Sequence, residues 1–383
     1  MATTHCLIVN EQTFKIHLEY MFAGTGSSSD RVDFNGLPTT ALHFGIENKL
    51  VGMIADFGRV RRGDNIIFYV QATPNVEGRF YGVFKVVSNQ MFYEDLTPTQ
   101  YLNTQLGKNL TFRILIEPDV VYENGVSEWE ALDCIRGMTS PNQMLWSLIY
   151  RKLHANRGNT MITIYEAERL IHLIRTRNGR NTLTGTAFSY DSVSNKITTT
   201  TSRSIYAGNT TITLNVLPRL ISKFVRGNKP EVHLQAYITQ NIGRATNTSL
   251  DNAIIPTNSS IEWIGNEFYC SVGEQRMDIC LSCINNNTRT IIPIELKAVE
   301  ASITNLKQIQ RYIDWLELYY LPNRPSDIQP MLIVKRGISF INNTSSIWAD
   351  FLAFDTRNSA LCRPLSVIEY EIVDNSIRFH KSK

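Results

Sequence analysis

Hydrophobic positions in the first third of the chain come in short alternating bursts separated by turn-forming residues. NIIFYVQ (65–71), the turn PNVEGR, FYGVFKVVSN (80–89) and TFRILIEPDVVY (111–122) have the length and the aromatic and β-branched content of strands. The period lengthens to that of a helix at ENKLVGMIADFG (47–58), NQMLWSLIYRKL (142–153) and TIYEAERLIHLIRTR (163–177). Between Arg175 and Gly227 the pieces NGRNTLTGTAF, DSVSNKITTTTSRS and YAGNTTITLNV are polar with some β alternation, and a short apolar helix, LPRLISKFV, follows. They predict a hairpin and a connector. From Pro230 the order becomes helix, strands, helix, strand, which is an α/β signature. A chain of 383 residues exceeds what one core usually fills, so two domains are expected, at 1–175 and 228–383, joined through 176–227.

The segment MDICLSCINNNTRTIIPIELK (277–297) carries the chemistry. Paired as antiparallel strands around a turn at Asn285 to Thr288, its halves bring Asp278 opposite Glu295. Lys297 shares Glu295's face, because strand side chains repeat every two residues. Ile292, Ile294 and Leu296 fill the other face. Like charges directly opposite each other are destabilising, so the pair calls for a compensating cation. Mg²⁺ or Mn²⁺ suits two carboxylates and a backbone carbonyl near Leu296. Upstream, KPEVHLQAYITQNI opens a helix at Pro230 with Glu231 and Gln235 one turn apart, Glu231 extending the acid cluster. Downstream, SITNLKQIQRYIDWLELYY is a helix with an apolar stripe at Ile303, Leu306, Ile309, Ile313 and Leu316. Gln308, Arg311, Tyr312 and Trp315 are expected on another face, where a glutamine orients water and an arginine binds phosphate.

Composition narrows the alternatives. No run of eighteen apolar residues occurs and the N-terminus lacks a signal-peptide pattern, so a soluble, cytoplasmic protein without a membrane span is expected. Six cysteines scattered through such a chain are expected to be reduced thiols. Cys280 and Cys283 lack two further ligands at zinc spacing and read as small core residues. A net charge of +3 permits nucleic-acid binding without demanding it. Arg59, Arg61 and Arg62 form a basic cluster for which solvated surface and phosphate contact are both open, as they are for Arg175, Arg177 and Arg180. His17, His43, His154, His172 and His233 lack ligand or triad spacing and are given no chemistry.

Asp278, the run Glu295-Leu296-Lys297 and the QIQRY helix resemble the PD-(D/E)XK nuclease superfamily, in particular its NucS-type and restriction-type members. That resemblance implies a restriction-endonuclease-like α/β/α core. In it Asp278 and Glu295 bind Mg²⁺, Lys297 assists the attacking water, and Glu231 and Gln308 complete the catalytic site. HFGIENK, RRGDNIIFYV, GRFYGVFKVV and FRILIEPDVVYENGVSEWEAL resemble the EVE and YTH branches of the PUA-like fold. This implies an α+β N-terminal domain, a β-barrel flanked by helices, that takes a flipped modified base into an aromatic cage. Phe44, where the YTH pattern has a tryptophan, and Tyr93 are the base-pocket candidates. Tyr20, Phe22, Phe57, Phe68, Phe80 and Phe84 read more readily as core. Arg59, Arg61, Arg62 and Arg311 are the candidate contacts to the DNA backbone.

The combination resembles a modification-dependent restriction endonuclease: one domain detects a modified, cytosine-derived base in double-stranded DNA and the other cuts nearby. Double-strand cleavage needs two sites, so a homodimer is expected. A NucS-like endonuclease for mismatched or branched DNA and a non-catalytic modified-nucleic-acid binder are the alternatives.

Overall fold

A computed structural model describes residues 2–26, 44–94, 99–148, 158–211, 213–270, 276–321 and 327–383. Its first half is built on β1 (Thr4–Val9), α1 (Glu11–Tyr20), β2 (Phe22–Thr25), α2 (Phe44–Gly58), β3 (Asn65–Val70), β4 (Arg79–Val86), β5 (Phe92–Tyr93), β6 (Phe112–Pro118), β7 (Val126–Ser127) and β8 (Asn159–Ile162). Local chemistry sets the first elements: Asn10 Oδ1 accepts from the Thr13 amide at 2.8 Å, capping α1. Met21, in the left-handed region at φ 48°, ends the helix and turns the chain into β2.

The strands form a mixed sheet in the order β2-β6-β4-β3-β1-β8, with β5 on β6 and β7 on β4. Among the described strands of this sheet, only β1 and β3 run parallel. The β-barrel expected from the sequence takes the form of a half-barrel among the described residues, an open strand path curled so that its ends approach at one corner. There Gly158, just ahead of β8, approaches Thr25 at the end of β2 so closely that a Cβ on it would lie 1.9 Å from Thr25 Oγ1. Next comes α3 (Ile164–Arg177), opened by a capping box between Thr163 and Glu166. The hairpin expected in the connector is β9 (Phe188–Asp191) with β10 (Lys196–Thr199). It packs back on the first half, where Tyr190 meets Phe14 and the Tyr81 hydroxyl donates to the Asn195 carbonyl at 2.8 Å. Of the helix expected over 142–153, the described part begins with a 3₁₀ turn, Pro141–Gln143, and residues 149–157 lie outside the described set.

The second half comprises α4 (Leu217–Val225), α5 (Glu231–Asn241), β11 (Ser260–Tyr269), β12 (Arg276–Asn285), β13 (Thr288–Leu296), α6 (Ile303–Trp315), β14 (Asp327–Ile328), β15 (Met331–Lys335), α7 (Trp348–Asn358), β16 (Ser366–Val373) and β17 (Ser376–Lys381). Its sheet runs β11-β12-β13-β15-β16-β17, with β13, β15 and β16 parallel. Alternation along the strands sorts the two faces. Ile292, Ile294, Leu296 and Ile333 pack with Leu234, Ala236 and Ile238 of α5, while Leu332, Val334 and Val367 pack with α6 and α7. This is an α/β/α arrangement. No helix among the described residues is long and apolar enough to cross a membrane.

One apolar core runs through both sheets, joining Leu50 and Ile54 of α2 to Leu234 and Ile238 of α5. Polar contacts follow the same seam: Arg61 donates to the Thr239 and Ile242 carbonyls at 2.9 and 3.1 Å, and the Trp263 indole donates to the Ile162 carbonyl at 3.0 Å. Trp263 lies across Gly265, where an added Cβ would sit 2.4 Å from the indole ring and 3.0 Å from Met161 sulfur. Gly265→Ala is therefore expected to destabilise the protein by about 1–3 kcal/mol through overpacking. Urea unfolding checks this, and a midpoint equal to wild type would contradict it.

Candidate functional site

The β12–β13 ladder pairs Ile279 with Ile294 and continues to Asn285 with Thr288, so one further step brings Asp278 opposite Glu295. Asp278 Oδ2 accepts from the Leu296 amide at 2.7 Å, which ties the two strand ends together. Glu295 is buried at 1 % exposure. One of its oxygens pairs with Lys297 Nζ and the other meets the Tyr312 hydroxyl from α6. That hydroxyl also lies 2.8 Å from the Arg276 carbonyl. The Lys297 amide donates to the Ile333 carbonyl at 2.8 Å, fixing the lysine at the end of the parallel ladder.

The start of α5 closes the site from the opposite face. Gln235 Nε2 donates to the Asp278 carbonyl at 2.7 Å and to Glu267 Oε1 at 3.1 Å. Glu231 Oε1 accepts from the Ala298 amide at 3.3 Å, immediately after Lys297. Glu267 pairs with Arg276 at 2.6 Å. The structure thus gathers Asp278, Glu295, Lys297 and Glu231, all anticipated from the sequence, and adds Gln235 as a contact along with Glu267 and Tyr312. Tyr312 had a legible signal, since it falls three residues after Ile309 on the buried stripe.

The electrostatics follow from crowding. Burial pushes the Asp278 carboxyl well above its ordinary range, and the nearby charge of Glu295 adds to the shift; the Leu296 amide and Lys297 oppose it. For Lys297, burial alone would lower the pKa, but contact with Glu295 and the charges of Glu295, Asp278 and Glu231 outweigh it and raise the value. Burial, then Glu295, raises the Tyr312 phenol, keeping it a neutral donor. Carboxylates outnumber cations here, which favours binding of an added cation. Among the described residues no three His, Cys, Asp or Glu side chains form a metal-holding group. Asp278 and Glu295 are the two carboxylates here that could hold a hard cation, with backbone and water as the remaining ligands. Cys280 and Cys283 are buried in different apolar clusters, as packing residues, and burial pushes the Cys283 thiol up to about 12.

Four expectations are corrected. Ile303 is 54 % exposed and does not belong to the apolar stripe of α6, whereas Tyr312 and Trp315 are buried on that stripe. Arg59 is 1 % exposed, and its guanidinium donates to His5 Nδ1 at 2.9 Å, so it is an interior residue and not a DNA contact. Arg61 spends its guanidinium on the carbonyls at the end of α5 and on the Gly58 carbonyl; burial lowers its pKa to about 9. Tyr93 lies in the core at 6 % exposure, its ring 6.0 Å from Phe112, and so does not present a cage wall. Arg62 and Arg311 are exposed, and Gln308 is half-buried on α6. Phe44 begins α2, but its side chain lies outside the described residues. His233, given no chemistry from spacing, binds Glu47 at 2.8 Å.

No family model matches the sequence, and no curated protein matches it. Among solved structures, a hypothetical protein from Leishmania major is similar to 46 % of this chain over 97 % of its own length, with 12 % identity and a TM-score of 0.31. Human THYN1 protein, solved in complex with 5-methylcytosine-containing DNA, is similar to 45 % of this chain over 97 % of its own, with 10 % identity and a TM-score of 0.25.

Proposed function

We propose that this protein is a Mg²⁺-dependent endodeoxyribonuclease directed to double-stranded DNA by a modified, cytosine-derived base. The observation that carries the reading is the union of Asp278, Glu295 and Lys297 at the end of one hairpin, with Glu295 buried, Asp278 half-buried beside it and the lysine held cationic. Asp278 and Glu295 would hold the ion, with the Leu296 carbonyl beside them. A bound Mg²⁺ or Mn²⁺ supplies an acidified water and neutralises charge developing on a phosphate. Lys297 places an ammonium where the attacking water or a phosphate oxygen arrives. Tyr312 fixes the second oxygen of Glu295, and Gln235 pins the β12 backbone that carries Asp278. Gln308, one turn before Tyr312 on α6, and the exposed Arg311 would reach toward the DNA backbone.

Such a centre contacts phosphates and carries no sequence preference, so specificity belongs to the first half of the chain. Cutting both strands calls for a homodimer. The test is a cleavage panel on duplexes containing 5-methylcytosine, 5-hydroxymethylcytosine, cytosine alone or a mismatch, with Mg²⁺, with Mn²⁺ and with chelator. Cutting of modified duplexes only, and only with metal, is the expected result. Equal cutting of unmodified DNA would remove modification dependence, preferential cutting at mismatches would favour the NucS-like alternative, and selective binding without cutting would leave a non-catalytic reader.

A further inference from the structure

Just beyond the carboxylates, the chain leaves the second sheet through two adjoining loops. β13 and β15 run parallel, with Glu295 beside Leu332 and Leu296 beside Ile333, so the residues after Lys297 and those after Lys335 emerge side by side. The Lys335 amide donates to the Val299 carbonyl at 3.1 Å and joins the two. Val299 is exposed on the first loop, Ile303 is exposed where that loop enters α6, and Ile338 is fully exposed on the second. The second loop is braced at both ends. The Arg336 amide donates to the Tyr370 carbonyl at 2.9 Å, and the Arg336 guanidinium pairs with Glu371 and lies 3.9 Å from the centre of the Phe340 ring. The Ile341 amide donates to Glu369 Oε2 at 2.6 Å. Glu300 packs against the backbone of Gly337, where an added Cβ would lie 2.9 Å from its carboxyl carbon. A single exposed apolar residue is ordinary, but three on adjoining, braced segments mark a contact surface.

We infer that Ile338 is a wedge that enters the base stack of a DNA duplex, supported by Val299 and Ile303, and kinks the strand toward Asp278 and Glu295. The inference rests on the nuclease reading above and deepens it. Charge selects a polyanion: over residues 297–303 and 335–341 the charged side chains are Lys297, Lys335 and Arg336 against Glu300 alone. Exposed Lys307 and Arg311 follow Ile303 along α6 at four-residue spacing and supply phosphate contacts for a bent backbone. A second copy or another protein seated on these loops would cover the approach to the carboxylates, whereas DNA has to arrive there. Glu295 is recessed, and a kinked strand brings a phosphate to such a centre more readily than a straight one. Isoleucine is among the side chains that proteins insert between base steps, and the partial unstacking bends the duplex. Pyrimidine–purine steps unstack most easily, so the wedge gives a step preference at bases that the protein does not read by hydrogen bonds.

The experiment walks 2-aminopurine through successive steps of a duplex carrying a 5-methylcytosine and reads its fluorescence as the full chain binds without metal. Wild-type protein is expected to brighten the probe severalfold at a TA or CA step. Ile338→Ala, at a position too exposed to move the Tm, is expected to abolish that rise and to lower kcat with Mg²⁺ about tenfold. An abasic site at the same step, already unstacked, is expected to restore the Ile338→Ala rate to within about twofold of wild type, a rescue that a merely structural loop would not show. Binding and cleavage by the wild type without brightening at any step would overturn the wedge and leave the nuclease reading standing. Brightening that Ile338→Ala abolishes, in a protein that never cleaves, would overturn the nuclease reading and leave the wedge. A dimer that Ile338→Ala converts to monomer with brightening unchanged would overturn the wedge in favour of a second copy on this surface, and absence of DNA binding would overturn both.

Discussion

Glu47→Ala is expected to lower the stability of the protein by about 3–5 kcal/mol, the cost of leaving buried cations without their counter-ion. Glu47 is only 2 % exposed and sits on α2. Its two oxygens accept from Arg219 Nε and Nη2 of α4 at 2.7 Å each, and Lys223 Nζ approaches at 3.3 Å. His233 of α5 completes the set at 2.8 Å. One carboxylate thus ties α2 to α4 and α5, ahead of the second sheet. Burial alone would raise its pKa, but the hydrogen bonds from Arg219 and His233, with the charges around them, hold it well below the ordinary carboxylate range. The sign of the pH effect follows. A depressed folded-state pKa contributes stability above the unfolded value of about 4.3, and that contribution is lost as pH falls through the folded value. Urea unfolding at pH 7 and along the acid limb reads both effects. Glu47→Ala should unfold earlier at neutral pH, and its acid limb should be shallower than that of wild type. A loss below about 1 kcal/mol at pH 7 would show that the network does not join the halves energetically.

The β12–β13 hairpin was legible because its information is local. Strand period and a four-residue turn fix which side chains face each other, and the observed register is the one that turn dictates. The helices α4 and α5 were legible for similar reasons, each opening on a proline and carrying apolar positions at helical spacing. What could not be read is non-local. Arg59 and Arg61 look like a surface cluster until His5 and the end of α5 are brought against them. Glu47 looks like an ordinary first-turn acid until Arg219 and His233 arrive. Aromatic residues mislead in the other direction. Tyr93 fits a cage by sequence, but a two-residue strand paired to β6 turns it into the core. His17 carries no signal in its spacing, because its burial against Phe68 and Phe22 is set by residues distant in sequence.

Asp278→Asn is expected to abolish metal-dependent cleavage, by about 10³-fold or more, while making the metal-free protein more stable. The loss follows if the ion contributes several kcal/mol of charge stabilisation at the phosphate and Asp278 is one of its two carboxylate ligands. The gain follows from the unmetallated site. Asp278, half-buried, lies opposite the buried Glu295, Glu267 and Glu231 lie nearby, and Lys297 already pairs with Glu295. Asparagine keeps an oxygen for the Leu296 amide at the position where Asp278 now accepts at 2.7 Å, and it removes one of the repelling charges. Each kcal/mol so relieved raises the Tm by about 2–4 °C or somewhat less in a chain of this size. Addition of Mg²⁺ should raise the Tm of the wild type and leave that of Asp278→Asn unchanged, because stabilisation by a ligand requires binding to the folded state. The pairing of the two effects is what makes the test discriminating. A purely structural Asp278 would lose stability on substitution, and its Tm would not respond to Mg²⁺ in either form. A site built to hold a cation trades stability for that function, so a variant that cleaves normally, or one that is destabilised without metal, would overturn the assignment of Asp278 as a ligand.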